Sequence, residues 1–274
     1  MSPRKIHLLR HAQAYHNVPP CNYNIPDPTL TELGLEQTST FAREFPHHGN
    51  VSVILSSPMT RTLETALLCF PQEVGGECQA NSGVQNPEHE GEHEHRHHHK
   101  GLKIYAVPEL QETSDHPCDT GSSRADLEKV FDGKNIDFSA LKEGWQLKTG
   151  SMGAEKETIL ARARTVRELL GEWFGKDDSG KGDVVVVSHG GFLHYLTKPL
   201  NAPSTPPSPI QGPSTTTPTP AVALACSKLP ETLKVPTWQP WQNAEYRTFT
   251  LRKATADAPW ELIETKESLQ RRQL

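Results

Sequence analysis

The chain lacks most of the features that would direct it to a membrane, a nucleic acid or an oxidising compartment. Apolar residues are only 34% of its 274 positions, and no apolar run approaches the length of a membrane span. A surplus of basic charge is missing too. The 28 Lys and Arg against 33 Asp and Glu leave a net charge of −5, so there is no electrostatic footprint for nucleic acid or an anionic bilayer. Cysteine is scarce and scattered at Cys21, Cys69, Cys78, Cys118 and Cys226, with no Cys-x-x-Cys pair. That spacing argues against a disulfide framework and leads us to expect reduced thiols and a cytoplasmic location. No internal repeat is visible, and the low apolar fraction implies that part of the length does not pack.

What is present is an alternation of short apolar runs with helical patterns. Residues 5–10, 51–55, 103–107 and 183–188 are runs of strand length, and Val184-Val185-Val186-Val187 has the unbroken character of a parallel strand buried on both faces. Thr31 is a predicted N-cap, with Glu32 in the first turn of a helix reaching about Phe45. Ser57 as cap and Pro58 at the first helical position predict a second helix to about Cys69. Ser122 or Ser123 opens a short helix that ends near Phe131, where Gly133 stops it. In residues 155–174, Ile159, Ala163, Val166, Leu170 and Trp173 recur on one helical face, and a further helix is expected from Gly190 to about Leu196. Residues 245–251 alternate in the manner of a late strand. Strands alternating with helices predict one α/β sheet, mostly parallel.

Two stretches stand outside this pattern. Residues 73–101, which contain the histidine-rich run from Glu88 to Lys100, show no apolar face at any period and are expected to form a disordered insertion. Residues 201–220 are dominated by Pro, Ser and Thr and predict an extended loop. A single domain over residues 1–274, carrying these two excursions, is the expected organisation.

The most informative segments are Leu8-Leu9-Arg10-His11-Ala12 and Val187-Ser188-His189-Gly190-Gly191. Each apolar run stops at a histidine, as a buried parallel strand does when it delivers a side chain to the crevice of an open sheet. A third run passes through Ser56-Ser57-Pro58-Met59-Thr60 to Arg61. Two imidazoles and two guanidiniums offered to one pocket make a site for a phosphoryl group.

The segment Arg10-His11-Ala12-Gln13-Ala14-Tyr15-His16-Asn17 resembles the Arg-His-Gly-Glu-x-x-x-Asn signature of the histidine phosphatase superfamily, also called phosphoglycerate mutase-like. Leu30-Thr31-Glu32-Leu33-Gly34, the stretch from Ser56 to Ala66, and Ser188-His189-Gly190-Gly191 resemble further family motifs in the expected order. The chain departs from the pattern at Ala12, where the family usually has glycine, and at Gln13, where it often has glutamate. The resemblance implies a three-layer sandwich whose mostly parallel sheet is flanked by helices. It also implies that His11 becomes a transient phosphohistidine and that Asn17 belongs to the phosphate pocket.

A phosphate monoester repels nucleophiles with its own negative charge, so a site must neutralise that charge and align attacker with leaving group. Arg10 and Arg61 offer planar forks that match phosphate oxygens. His189, if protonated, adds a donor, and the Gly190 amide at a helix start can face the anion. His11 is left as the attacker, kept neutral by its cationic neighbours. The leaving oxygen then needs a proton, which one carboxyl can give before it activates water. In the family the acid stands in a Leu-x-Glu context, which Leu110-Gln111-Glu112 matches. Glu112 is therefore the first candidate and Glu109 the second. Asp115 and Asp119 fall in the same loop, where Asp119-Thr120-Gly121-Ser122 also reads as turn and helix-cap chemistry.

No metal or other cofactor enters this route. Histidines four apart in the insertion, such as His89 and His93, could chelate a transition metal if helical, but the tract is expected to be solvated. The expected activity is hydrolysis of a phosphorylated small-molecule substrate. The alternatives are a phosphoglycerate-type mutase and a catalytically silent phosphate-recognition or scaffold protein. In the mutase branch the acid's motif continues into Arg-His-Tyr-Gly, whereas Glu112 is followed by Thr113-Ser114-Asp115-His116, which favours hydrolysis. Neither the leaving group nor the oligomeric state is legible.

Overall fold

The computed structural model describes residues 4–75, 101–175, 182–198 and 240–272. Seven strands form one sheet: β1 (Ile6–Arg10), β2 (Val51–Ser56), β3 (Ile104–Ala106), β4 (Ile136–Asp137), β5 (Asp183–Ser188), β6 (Tyr246–Arg252) and β7 (Glu261–Glu264), in the order β4-β3-β2-β5-β1-β6-β7. The five strands from β4 to β1 run parallel, and β6 and β7 close one edge antiparallel. The helices are α1 (Glu32–Glu44), α2 (Thr60–Cys69), α3 (Pro71–Val74), α4 (Arg124–Val130), α5 (Lys156–Gly175), α6 (Gly190–Thr197) and α7 (Lys266–Arg271). None of the described helices is long and apolar enough to cross a membrane.

The strand period of two sorts the core onto two faces. Val185 and Val187 of β5 and Leu9 of β1 join Phe41, Met59, Leu63 and Leu127 beneath α1, α2 and α4. Val184, Val186, Ile6 and Leu8 pack on the other face with Ile159, Ala163, Val166 and Leu170 of α5 and Phe192 and Leu193 of α6. The result is the expected α/β three-layer sandwich. Each fully buried valine of β5 contributes about 1.5–3 kcal/mol of transfer free energy, which is why an unbroken valine run occupies the middle of the sheet.

Most predicted elements are present within a residue or two, Thr31 caps α1 by accepting from the Gly34 amide at 3.0 Å, and Ser123 caps α4. The start of α2 differs. It begins at Thr60 rather than Pro58, and Ser57 does not cap it. Asp27 does so from a distant loop, its carboxylate accepting from the Thr60 amide at 3.0 Å and the Thr60 hydroxyl at 2.8 Å. The same carboxylate accepts from the amide and hydroxyl of Ser122, tying two loops to one helix end.

The expectation of a disordered insertion starting at residue 73 is corrected at its start, because residues 73 and 74 belong to α3. Glu73 and Val74 are buried in α3, where Glu73 accepts from His48 at 2.6 Å and its carbonyl accepts from the Leu102 amide. Gly75, at φ +80°, lies beside Gly101, so the two described residues that flank 76–100 in sequence are neighbours in space. The histidine-rich run and residues 201–220 lie outside the described residues.

Removal of the Asp27 carboxylate deletes the α2 cap and both Ser122 contacts. Asp27→Ala is expected to lower the unfolding free energy by about 1–2 kcal/mol in urea denaturation, with Asp27→Asn recovering part of the loss.

Candidate active site

The register of the central strands assembles the site. Ile6 to Arg10 of β1 pair with Val184 to Ser188 of β5, and the His11 amide donates to the Ser188 carbonyl at 2.9 Å. His11 and His189 therefore leave adjacent strand ends together, with ring centroids 5.2 Å apart. β2 lies on the other side of β5, and the Ser57 amide donates to the Val187 carbonyl, bringing Ser57 beside His189. From above, α2 lowers Arg61 from its first turn into the gap. His11, Arg61 and His189 are all at most 1% exposed.

Arg61 is the centre of this cluster. Its Nε donates to His11 Nε2 at 3.3 Å, Nη1 to the Cys118 carbonyl at 2.6 Å, and Nη2 to Asp119 Oδ1 at 2.9 Å and His189 Nδ1 at 3.1 Å. Because a guanidinium only donates, these contacts settle both tautomers. His11 has its proton on Nδ1, which donates to the Ala12 carbonyl at 2.8 Å, so Nε2 carries the free electron pair. His189 has its proton on Nε2, which donates to Ser57 Oγ at 2.8 Å.

Burial, followed by the charges of Arg61 and Arg10, holds His11 well below the ordinary histidine range. The neutrality expected from its cationic neighbours is there, with burial as the larger cause. Burial and Arg61 likewise push His189 far down. The condition under which His189 would add a donor to the phosphate is therefore not met: the ring is neutral and accepts from Arg61.

The remaining predicted residues flank the cluster. Arg10 donates through Nη1 to the Trp241 carbonyl at 2.5 Å, while its buried Nε has no partner among the described residues. Gly190 gives Arg10 room, since a Cβ there would stand 3.3 Å from Arg10 Nε. Asn17 is committed within the protein, its Oδ1 accepting from the Ala14 amide and its Nδ2 donating to His16 Nε2 at 3.0 Å. The Glu112 carboxylate sits on the first turn of α6. Oε1 accepts from the Thr113 and Phe192 amides and Oε2 from the Gly191 amide. The acceptor at this helix start is thus the chain's own carboxyl group, held by the two amides that follow Gly190. Glu109, in the turn Pro108–Leu110, makes no side-chain hydrogen bond to these residues.

Several participants carry no assigned role in the sequence reading. His16 is 6% exposed, its ring 5.7 Å from that of His11, and burial with Arg61 pushes it down to about 3. Since Asn17 donates to its Nε2, its Nδ1 bears a proton, and that buried N–H has no partner among the described residues. Ser57 and His16 both stand inside quoted motifs, which is the signal that points to them. Asp119, read as turn chemistry, is instead the ion-pair partner of Arg61. Lys148 and Arg162 both donate to the Glu112 carbonyl, at 2.8 and 3.2 Å. Burial and Arg162 lower Lys148 to about 8.

Comparison with known proteins places the chain among phosphoglycerate mutase-like relatives. The family model described as the histidine phosphatase superfamily, branch 1, matches residues 6–84. A phosphoglycerate mutase-like protein of Arabidopsis thaliana is 30% identical over 209 residues, covering 70% of this chain and 73% of the relative. A probable phosphatase of Schizosaccharomyces pombe is 27% identical over 199 residues, covering 71% and 78%. Among solved structures, a mycobacterial glucosyl-3-phosphoglycerate phosphatase aligns over 95% of this chain and 97% of its own, at 18% identity and a TM-score of 0.46.

The buried neutral histidines make stability depend on pH. His11, His16 and His189 are neutral when folded but protonate near 6.5 when unfolded. Stability is therefore fully present above about pH 6.5 and falls as pH drops, by up to about 1.4 kcal/mol per pH unit for each ring, until its folded value is reached. For His16 that window extends down to about 3. Urea denaturation is expected to show a loss of several kcal/mol between about pH 7 and pH 5.5, with a shallower slope in His16→Asn.

Proposed function

Because the chain belongs to the histidine phosphatase superfamily, we propose that it is a phosphatase that hydrolyses a phosphate monoester of a small metabolite through a phosphohistidine at His11. The observation that carries this reading is the fixed tautomer of His11. Its Nδ1–H is held by the Ala12 carbonyl, and its Nε2 electron pair faces a fully buried guanidinium. An imidazole so oriented is a ready nucleophile toward an electrophile that the same cation attracts. Two buried donors without partners among the described residues, Arg10 Nε and His16 Nδ1, add to the support, because such groups are rare unless a ligand meets them.

In the first step His11 Nε2 forms a bond to phosphorus while the ester oxygen departs and takes a proton from Glu112. In the second, Glu112 removes a proton from water, whose oxygen attacks the phosphohistidine, releasing inorganic phosphate and restoring the free imidazole. Arg10 and Arg61 neutralise the transferred group in both steps. His189 orients Arg61 through Nδ1. Asn17 acts through His16, whose ring it fixes with its unpartnered N–H available to a phosphate oxygen. Gly190 lets Arg10 lie against the start of α6. In this reading the phosphate takes the place of the Asp119 carboxylate on Arg61, and binding trades one anion for another.

His11→Ala is expected to abolish turnover of an aryl phosphate. Wild-type enzyme quenched during turnover should carry acid-labile phosphate on His11, and label that survives acid or sits elsewhere would exclude the covalent route. Glu112→Gln is expected to give a burst of phenol with accumulating phosphohistidine on an aryl phosphate, and near silence on an alkyl phosphate, whose alkoxide needs the proton. Equal losses on both substrates would assign Glu112 to structure, through its hold on α6.

A further inference from the structure

At the opposite ends of β1 and β5 from His11 and His189 lies a second cluster of ligating side chains. His7 is 1% exposed and its Nε2 is 3.1 Å from Asp183 Oδ2. The His47 ring stacks on that of His7 with centroids 4.8 Å apart. One ligand atom from each of His7, His47 and Asp183 lies within 4.8 Å of the others. His7 belongs to β1, Asp183 to β5, and His47 to the connection between α1 and β2, so the fold brings the three together from separate parts of the chain.

We propose that His7, His47 and Asp183 form a binding site for one divalent transition-metal ion of the zinc class, separate from the phosphate pocket. Two imidazoles and a carboxylate are a donor set suited to such an ion, with water completing a tetrahedron. Ligand atoms about 2.0–2.2 Å from a tetrahedral centre stand roughly 3.3 Å from each other. His7 Nε2 and Asp183 Oδ2 already meet that spacing. His47 is half-buried on a surface connection and closes the remaining gap by side-chain rotation, which also gives the ion its way in.

The supporting contacts are those that metal ligands need. Thr248 Oγ1 is 3.1 Å from His7 Nδ1, and the Lys5 amide donates to Asp183 Oδ1 at 2.8 Å. Without metal, His7 Nε2–H donates to Asp183 and the Thr248 hydroxyl donates to Nδ1. On binding, the ring changes tautomer: Nε2 gives up its proton and Nδ1 takes one up, with no net release to solvent, the hydroxyl turns to accept from Nδ1–H, and Nε2 bonds to the metal.

The surroundings hold the ligating protonation states. Burial, outweighing Asp183, lowers His7, and burial together with His7 lowers His47. Burial alone would raise Asp183, but the hydrogen bonds from His7 and the Lys5 amide hold it below its ordinary value. Phe45 packs edge-on against both rings. Lys5 and Arg271 are the cations that face the cluster and oppose a dication, which sets the site apart from a purely acidic hole.

The test is thermal unfolding of the full chain with zinc ions, in wild type and His47→Ala. Both proteins keep the histidine-rich run, so metal held there cancels in the comparison. A rise in Tm of several degrees in wild type that is lost in His47→Ala is expected, since an ion bound only by the folded state stabilises it. No rise in wild type, or a rise of which His47→Ala keeps more than half, overturns the site. Cobalt ions give a second reading independent of stability: a visible d–d band of low-symmetry coordination in wild type, absent from His47→Ala. An identical spectrum in the two proteins overturns it as well.

Discussion

Arg61 is the side chain on which the geometry of this protein turns. A guanidinium with no exposed surface carries a desolvation cost of several kcal/mol that only pairing and full hydrogen bonding can offset. Its four acceptors come from the end of β1, the end of β5 and the loop that carries Cys118 and Asp119. Each is therefore held in place by the need to satisfy the same cation. The helix that delivers it is anchored in turn by Asp27, which also grips Ser122 a few residues beyond Asp119. Removing any one contact leaves a buried charge partly unpaired, so the loop, the helix and both strand ends behave as one unit.

Under the proposed phosphohistidine route, that arrangement lets one residue serve both structure and binding. Asp119 Oδ1 accepts from Arg61 and Oδ2 accepts from the Ser114 hydroxyl at 2.5 Å, so its carboxylate satisfies the cation in the absence of a ligand. A phosphate group offers more acceptor oxygens and more charge than a carboxylate, and on Arg61 it meets a donor fork already oriented by His11 and His189. The exchange keeps the cation paired throughout. Under the proposed phosphohistidine route, the loop bearing Asp119 thus responds to substrate because it shares a partner with it.

Much of this was legible in the residues themselves. β5 is an unbroken valine run because it is covered on both faces, and its length and end point follow from that composition. His11, Arg61, His189 and Glu112 stand next to recognisable strand and helix ends. The partners of Arg61 were not legible. Asp119 sits in a stretch whose turn-forming residues explain it locally, and only the return of the loop to the sheet reveals its charge pairing. β4 spans two residues and β7 four, too few for a period to emerge. Asp27 as a cap escaped for the same reason as Asp119: it acts on a helix far from it in sequence, whereas cap signals are read from neighbours.

His7 shows the converse, a polar residue hidden inside an apolar pattern. β1 pairs in register with β5, but a strand made of four consecutive valines buried on both faces loses little apolar burial if it slips by one residue or by two. Hydrophobicity alone does not fix its register. The polar groups at its two ends do. At one end Asp183 accepts from His7 and the Lys5 amide, and at the other the Ser188 carbonyl accepts from His11 while the Ser188 hydroxyl donates to the Leu110 carbonyl. A slip would strand all of these buried groups at once, at about 1–3 kcal/mol apiece. Because His7 and His11 lie two strand periods apart on the same face, the contacts that pin one end of β1 also set where the nucleophile stands at the other.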